Sequence, residues 1–262
     1  SPTGDGAGGW GLVRQIGHGW GGMTSIVSPG DFTGDGVSDL LTRDAGGRLY
    51  LYAGNGASSW GWTGQIGVGW GSMVSLVGPG ALPTGPRTSD PGVGDLPGDG
   101  NIDVLAWNAD GSTYVYETNG SGSFKSAYVA AAPWTTPAQL TGTVDFDGAG
   151  RRDTITVDAA GALWRTAVTG ARAFGTPVQI GSGWTGYTSV FAAGEFDADL
   201  LPDLIARDAT GDLWLYPGDG SGSFGVAKKI GNGWGAFSSL FSPGDFDGDG
   251  NQDVMAMFPD GQ

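Results

Sequence analysis

The chain has 262 residues, no cysteine, one histidine and a formal net charge of −15. These values exclude a disulfide framework, a Cys/His zinc site and a cysteine nucleophile, and they argue against nucleic acid, whose phosphates need a basic surface. The 53 glycines occur with 11 Trp, 11 Phe and 7 Tyr, which indicates short strands joined by tight turns rather than disorder. No run of 18 apolar residues is present, so no membrane span is predicted.

Along the chain, one self-similar segment starts near residues 30, 94, 144, 194 and 244. The first acidic residues of the copies are 64, 50, 50 and 50 positions apart, and the long spacing contains a Pro- and Gly-rich insert at 81–93 that predicts a surface loop. The strands predicted in the first copy are 25–27, 39–43, 48–52 and 64–66. Four short strands in such a period are typical of a propeller blade.

The two ends of the chain share one copy. The fifth copy stops at Gln262, and residues 4–17 match residues 218–231, so that the joined copy is 48 residues long. A ring needs such a shared repeat because it removes free sheet edges. We therefore expect an all-β, five-bladed β-propeller of four-stranded antiparallel blades, a single domain over 1–262 whose last repeat is completed by residues 1–20. The shared copy lacks the segment that matches 213–216, which predicts either a blade short of a strand or a piece cut from a longer chain.

Each copy begins with an acidic turn in which positions 1, 3, 5 and 9 are mainly aspartate. Calcium takes six to eight oxygens, and a turn with alternating inward side chains, helped by a main-chain carbonyl at position 7, can supply them. The predicted ligands are Asp31, Thr33, Asp35, Val37 and Asp39; Asp95, Asp99, Asn101 and Asp103; Asp145, Asp147 and Asp153; Glu195, Asp197, Asp199 and Asp203; and Asp245, Asp247, Asp249, Asn251 and Asp253. The alternative is that these side chains only cap turns. The fifth copy is predicted to be the best site, whereas Pro97 and Ala149 weaken the second and third.

The motif GDFDGDGNQD at 244–253, together with the Gly-x-Leu-Trp-Leu-Tyr strand, resembles the FG-GAP/VCBS repeat family. That resemblance implies an integrin-type propeller of an exported protein with calcium in the first turn of the repeat. A second element, Ile-Gly-x-Gly-Trp, recurs at 16–20, 66–70, 180–184 and 230–234. It is similar to elements of tachylectin-type five-bladed lectins, which implies sugar binding between blades.

Aromatic and basic side chains supply the candidate ligand contacts. The candidates are Trp20, Trp70, Trp184, Trp234, Trp62, Trp107, Arg43 and Arg207. The repeated tryptophans either stack on a sugar or pack between blades, and the third copy keeps only Trp134 of this element. Trp62 and Trp107 break the repeat, which favours exposed contacts. The two arginines each precede an aspartate and either orient a sugar hydroxyl or form a weak surface ion pair.

The function predicted from these features is a secreted, lectin-like carbohydrate-binding module with structural calcium, whose partners are glycans or a cell-surface polymer. The alternative is a protein-interaction, adhesion or targeting scaffold within a larger secreted complex. Catalysis is not expected, because nearly every acidic residue belongs to a repeated turn and His18 occupies a variable position. An extracellular location is expected because calcium loops of this kind bind weakly, at about 10⁻⁴–10⁻³ M.

Overall fold

A computed structural model describes residues 2–5, 7–77, 95, 99–108, 110–131, 139–150, 152–170 and 173–262. The insert at 81–93 and Trp134 lie outside the described residues, as do Pro97 and Arg151. The regular elements of the described residues are strands and short 3₁₀ turns, in line with the expected all-β fold.

The strands follow one another in the order that the repeat predicts. The first ten are β1 (Pro2–Gly4), β2 (Trp10–Val13), β3 (Met23–Gly30), β4 (Asp39–Asp44), β5 (Leu49–Gly54), β6 (Trp60–Gly67), β7 (Met73–Val77), β8 (Val104–Asn108), β9 (Thr113–Thr118) and β10 (Phe124–Ala130). The others are β11 (Gln139–Val144), β12 (Asp153–Val157), β13 (Leu163–Gly170), β14 (Ala173–Phe174), β15 (Val178–Gly181), β16 (Tyr187–Gly194), β17 (Asp203–Asp208), β18 (Leu213–Tyr216), β19 (Lys228–Gly231), β20 (Ser239–Gly244) and β21 (Asp253–Met257). Four 3₁₀ turns occupy Trp20–Gly22, Trp70–Ser72, Trp184–Gly186 and Trp234–Ala236.

These strands build antiparallel sheets of neighbouring chain segments. The sheet orders are β3-β4-β5-β6 (the first sheet), β7-β8-β9-β10 (the second), β11-β12-β13 with β14 and β15 (the third), β16-β17-β18-β19 (the fourth) and β20-β21-β1-β2 (the closing sheet). The all-β propeller fold is thus confirmed. The expected number of five four-stranded blades is wrong, because the structure holds four. In the third sheet, the edge is split into two strands, β14 and β15, that both pair with β13.

The first strand of each sheet lies at the centre of the molecule. β3 contacts β7, β7 contacts β11, β11 contacts β16, β16 contacts β20, and β20 returns to contact β3. Main-chain pairing between Thr3 of β1 and Asp253 of β21 joins the two ends of the chain in the closing sheet. The described sheets therefore surround one axis, and both chain ends contribute to one sheet.

At each of its four described copies, the Ile-Gly-x-Gly-Trp element joins one sheet to the next by a main-chain hydrogen bond. The main-chain N–H of Trp70 donates to the carbonyl of Gly47 at 3.0 Å, and the N–H of Trp20 donates to Gly261 at 3.1 Å across the two chain ends. The second glycine of the element has a positive φ, such as 84° at Gly69. The first glycine has no side chain because the indole folds over it: a Cβ on Gly67 would lie 2.7 Å from Nε1 of Trp70.

Candidate metal centres and ligand-contact residues

The acidic turn of the first copy uses its carboxylates to hold its own backbone. Asp31 accepts from the main-chain N–H groups of Gly34 (2.7 Å), Asp35 (2.9 Å) and Gly36 (2.9 Å). Asp39 accepts through Oδ2 from residues 32 and 33, both at 2.8 Å, and through Oδ1 from residue 54 at 3.0 Å. Turn capping therefore explains positions 1 and 9 of this copy.

The same capping recurs at position 9 of the later copies. Asp153, Asp203 and Asp253 each accept from the N–H of the phenylalanine at position 2, at 3.0, 2.8 and 2.8 Å. Those phenylalanines, at positions 146, 196 and 246, are almost fully buried. The ninth residue consequently fixes the position of the phenylalanine that anchors the turn in the core.

Three of the turns also gather carboxylate oxygens into a cluster. Within the described residues, the clusters are Asp145, Asp147 and Asp153; Glu195, Asp197 and Asp199; and Asp245, Asp247 and Asp253. One oxygen from each member of a cluster lies within 4.8 Å of the others. Two oxygens on opposite sides of a calcium ion are about 5 Å apart, so each cluster has the dimensions of a shared cation site.

Basic side chains form ion pairs with the carboxylates of several acidic turns. Nη1 of Arg165 is bonded to Asp147 and lies 2.9 Å from Asp153, two of the three members of the third-copy cluster. In the fourth copy, Nζ of Lys228 lies 2.7 Å from Asp197. In the second copy, Nζ of a lysine at position 125 lies 2.5 Å from the Asp99 carboxylate. These cations neutralise part of the charge that a metal ion would otherwise balance.

The turn at 245–253 contains a carboxylate oxygen that accepts no hydrogen bond, as does the turn that begins at Glu195, where this oxygen is Oδ1 of Asp197. Asp253 is 1% exposed, and its Oδ1 is buried without a hydrogen-bond partner. Burial, together with the negative charges of Asp247 and Asp249, raises the pKa of Asp253 to about 7. A buried oxygen without a partner, on a carboxylate that belongs to the cluster and whose ionisation is unfavourable, fits the donor set of a divalent cation. Within the described residues, no ion pair of a basic side chain with this cluster is found.

Several predicted ligands lie away from a cluster. Asp31, Asp35 and Asp39 do not share one in the described structure, although Oγ1 of Thr33 is buried without a partner. In the fourth copy, Asp203 stays outside the cluster. The other predicted carboxylate ligands that belong to no cluster of the described residues are Asp95, Asp99, Asp103 and Asp249. The main-chain ligands expected at Val37, Asn101 and Asn251 stay predictions.

The fourth-copy turn is strained at its backbone. Ala198 and Leu200 have φ angles of 67° and 69°, where the fifth copy has Gly248 and Gly250. A side chain in this left-handed region costs on the order of 1 kcal/mol. The fifth copy forms the same turn with glycine at both positions, so its backbone is less strained.

The repeated tryptophans are packing residues. Trp70, Trp184 and Trp234 are 6%, 5% and 9% exposed, and the ring of Trp70 lies 4.1 Å, centroid to centroid, from Tyr116. Trp20 is half-buried, with its ring 4.5 Å from that of a tyrosine at position 52. The low exposure of Trp70, Trp184 and Trp234 supports the alternative that they pack between blades rather than stack on a sugar. The ligand contact predicted at Trp20 stays a prediction.

Trp107 and the two arginines are also engaged inside the fold. Trp107 is 3% exposed, which corrects its assignment as an exposed contact. Arg43 donates to the carbonyl of Trp70 at 3.2 Å and to that of Met73, and Arg207 donates to two carbonyls of the corresponding segment at 234–237. These guanidinium groups bridge one sheet to the turn that enters the next, which supports a structural role for both arginines over the predicted sugar contact.

Trp62 is the one predicted ligand-contact aromatic with a large exposed surface, at 57%. It lies on β6, and a Cβ on Gly64 would lie 2.4 Å from Cζ2 of its indole. The ring therefore covers Gly64 and leaves much of its surface to solvent.

Sequence reasoning missed the role of Arg165. This residue occupies a third-strand position where Leu51, Val115 and Leu215 stand in other copies. A charged residue at a repeat position that is apolar in the other copies could have drawn attention to it. Its partners, Asp147 and Asp153, could be identified only from the folded sheet.

Comparisons with known proteins agree with this architecture. Residues 195–256 match the FG-GAP-like repeat family. A search of curated proteins found no significant match. Within the described residues, no helix is both long enough and apolar enough to cross a bilayer.

Two solved structures with a similar fold are lectins. A lectin from Burkholderia pseudomallei is 20% identical, with a TM-score of 0.52 and coverage of 96% of this chain and 69% of that one. An Agrocybe aegerita lectin that recognises non-reducing terminal N-acetylglucosamine is 19% identical, with a TM-score of 0.49 and coverage of 97% and 67%. At such identities the likeness concerns the fold alone.

Proposed function

We propose that this chain, which carries an FG-GAP-like repeat over residues 195–256, is a secreted, lectin-like carbohydrate-binding module stabilised by calcium. The observation that carries the proposal is the exposed indole of Trp62. An aromatic ring with one side against the backbone and the other toward solvent is a suitable surface for the apolar face of a sugar. The lectin function of the Burkholderia pseudomallei protein, which has a similar fold, is consistent with this proposal.

The shape of the Trp62 site supports stacking rather than core packing. Gly64 has no side chain, so the indole can lie over the strand. At the corresponding position of the fourth sheet, Val226 is 87% exposed. The same surface is therefore open in both sheets, but only the first carries a flat aromatic ring there.

Calcium acts structurally in this proposal. Two clusters contain a buried carboxylate oxygen without a hydrogen-bond partner, Oδ1 of Asp197 and Oδ1 of Asp253. The cluster of Asp245, Asp247 and Asp253 is the first site to fill, because Lys228 already pairs with Asp197 in the other cluster. Binding at about 10⁻⁴–10⁻³ M requires the calcium concentration found outside cells, which is why we propose an extracellular location. We propose binding rather than catalysis because the buried aspartates at position 9 are used to hold backbone N–H groups.

The test is a glycan array followed by titration calorimetry with N-acetylglucosamine and with any glycan retained on the array. Trp62→Ala is expected to weaken binding at least tenfold, while Val226→Ala, a matched truncation of an exposed apolar residue, leaves it unchanged. The lectin proposal would be abandoned if the array retains no glycan, or if the two variants bind equally well. Failure on every glycan would favour the protein-interaction scaffold.

A further inference from the structure

Trp62 lies on a β-bulge near the start of β6. β6 pairs with β5 at Gly54–Trp60 and at Tyr52–Thr63. Between these pairs, two residues of β6, one of them Trp62, stand opposite one residue of β5. A bulge turns a side chain away from the direction that regular pairing would give it. The orientation of the exposed indole therefore depends on how Trp60 and the hairpin before it are held.

The acidic turn of the fifth copy holds that part of β6 from the neighbouring sheet. The ring of Phe246, at position 2 of the turn, lies 4.9 Å, centroid to centroid, from the ring of Trp60. A Cβ on Gly248 would lie 3.3 Å from the carbonyl oxygen of Gly56, so the backbone of the turn packs closely against the β5–β6 hairpin (residues 55–59). The turn thus touches both the hairpin and the first residue of the strand that carries the exposed indole.

Phe246 and Gly248 also belong to the backbone that gathers the carboxylates. The N–H of Phe246 donates to Asp253 at 2.8 Å, and the N–H of Gly248 donates to Asp245 at 2.8 Å. Carboxylates whose oxygens lie within 4.8 Å of one another repel when they are ionised, and a bound cation removes that repulsion. The residues that contact β6 and its hairpin are therefore residues whose position depends on the charge balance of the cluster.

This junction lacks a hydrogen bond that other junctions between sheets have. In three hairpins, a glycine donates its N–H to the carbonyl of the phenylalanine at position 2 of the neighbouring turn: Gly8 to Phe196 at 3.2 Å, Gly122 to Phe32 at 3.1 Å, and Gly222 to Phe146 at 2.9 Å. Ser58 occupies the glycine position in the β5–β6 hairpin, with a φ of 55°, and no such bond joins it to Phe246, although the structure describes both residues. A side chain in this left-handed region strains the backbone. The β5–β6 hairpin is accordingly held to its turn by packing, without the main-chain bond of the other three.

We infer that the acidic turn at 245–253 regulates the Trp62 site: when a divalent cation neutralises its carboxylates, the turn holds the β5–β6 hairpin and so sets the exposed indole for a glycan. This inference rests on the lectin-like function proposed above. No sugar oxygen needs to contact the ion, because the coupling runs through Phe246, Trp60 and the bulge. Coupling between two sites is reciprocal, so a glycan bound at Trp62 raises the affinity for calcium by the same factor.

The first experiment measures amide hydrogen exchange of the glycan-free protein in millimolar calcium and in chelator. If the hairpin opens only when the turn releases the cation, calcium at ten times a Kd of about 10⁻⁴ M slows exchange at 55–60 about tenfold. The hairpin at 219–223 is the internal control, because it contacts the third-copy turn, whose carboxylates already pair with Arg165. Its exchange is expected to change by less than about twofold.

Two variants test the path. Asp247→Asn removes one charge of the cluster but keeps an oxygen for the N–H of Asp249, so the fold is retained and the calcium-dependent protection of the β5–β6 hairpin is expected to disappear. Ser58→Gly relieves the strain and gives this hairpin the glycine of the other three. It is expected to keep the hairpin docked in chelator and to reduce the calcium effect on exchange to less than about twofold.

The second experiment titrates the glycan retained on the array in calcium and in chelator. Chelator is expected to weaken binding about fivefold in the unaltered protein and by less than about twofold in Ser58→Gly. Exchange at 55–60 that calcium leaves unchanged, or a glycan affinity that chelator leaves unchanged, would overturn the inference while the lectin proposal stands. Protection of the hairpin in a protein that binds no glycan would support the calcium coupling and refute the lectin function, so the two proposals fail separately.

Discussion

Removal of calcium is expected to lower the melting temperature through the turn at 245–253. With a Kd of about 10⁻⁴ M, one site at millimolar calcium adds about 1.4 kcal/mol to the free energy of unfolding. For a chain of this length, that corresponds to roughly 3–6 °C in the melting temperature. The clusters at 145–153 and 195–199 are expected to add less, because Arg165 and Lys228 already lie on their carboxylates.

The assay is thermal unfolding in millimolar calcium, in chelator and in millimolar magnesium. Asp253→Asn keeps an oxygen for the N–H of Phe246 but removes the charge of one of the three cluster carboxylates, so it is expected to abolish most of the calcium-dependent shift. Magnesium is expected to give a smaller shift, because it demands shorter and more regular coordination.

Asp39→Asn supplies the contrast. Both oxygens of Asp39 accept from main-chain N–H groups, so the amide leaves one donor without an acceptor and costs about 1–3 kcal/mol with or without calcium. The reasoning would be refuted by a melting temperature that chelator leaves unchanged, or by an Asp253→Asn protein that keeps the full calcium shift.

Three further variants test the packing assignments. Arg165→Met is expected to destabilise the protein by about 3 kcal/mol in chelator, because Asp147 and Asp153 lose their cationic partner. In calcium, part of this loss is expected to be recovered, since the ion can replace the guanidinium. An equal loss of stability in both conditions would contradict this replacement. Gly261→Ala would place a Cβ 1.9 Å from the nitrogen of Gly21 at the junction of the chain ends, so it is expected to lower the free energy of unfolding by more than about 2 kcal/mol. Gly233→Ala is the control, because it has a similar φ and no atom within 4 Å of the added Cβ, and it is expected to lower that free energy by about 1 kcal/mol. Equal urea midpoints for the two variants would contradict this prediction. Arg43→Lys is expected to lower stability by about 1–3 kcal/mol without changing glycan affinity, and a calorimetric loss of affinity at unchanged stability would restore Arg43 as a ligand contact.

The repeat in the sequence determined the architecture because local patterns recur with a fixed period. A period of 50 residues, strands bounded by glycine and a copy divided between the two ends predicted the order of strands and the shared closing sheet. The acidic turns were predictable for the same reason: position 9 must cap the turn that buries the phenylalanine, and that requirement is local. The short third strand of the closing sheet followed from the missing match to 213–216.

The tertiary structure alone decided which side chains remain available to a ligand. Trp70 and Arg43 look like binding residues in the sequence, yet neighbouring sheets use the ring for packing and the guanidinium for carbonyl contacts. Arg165 forms ion pairs with aspartates that precede it by 12 and 18 residues along the chain. Oδ1 of Asp253 accepts no hydrogen bond, whereas Oδ1 of Asp39 accepts from the N–H of Gly54. Such differences arise from contacts between strands and between sheets, and these contacts cannot be predicted from the repeat period.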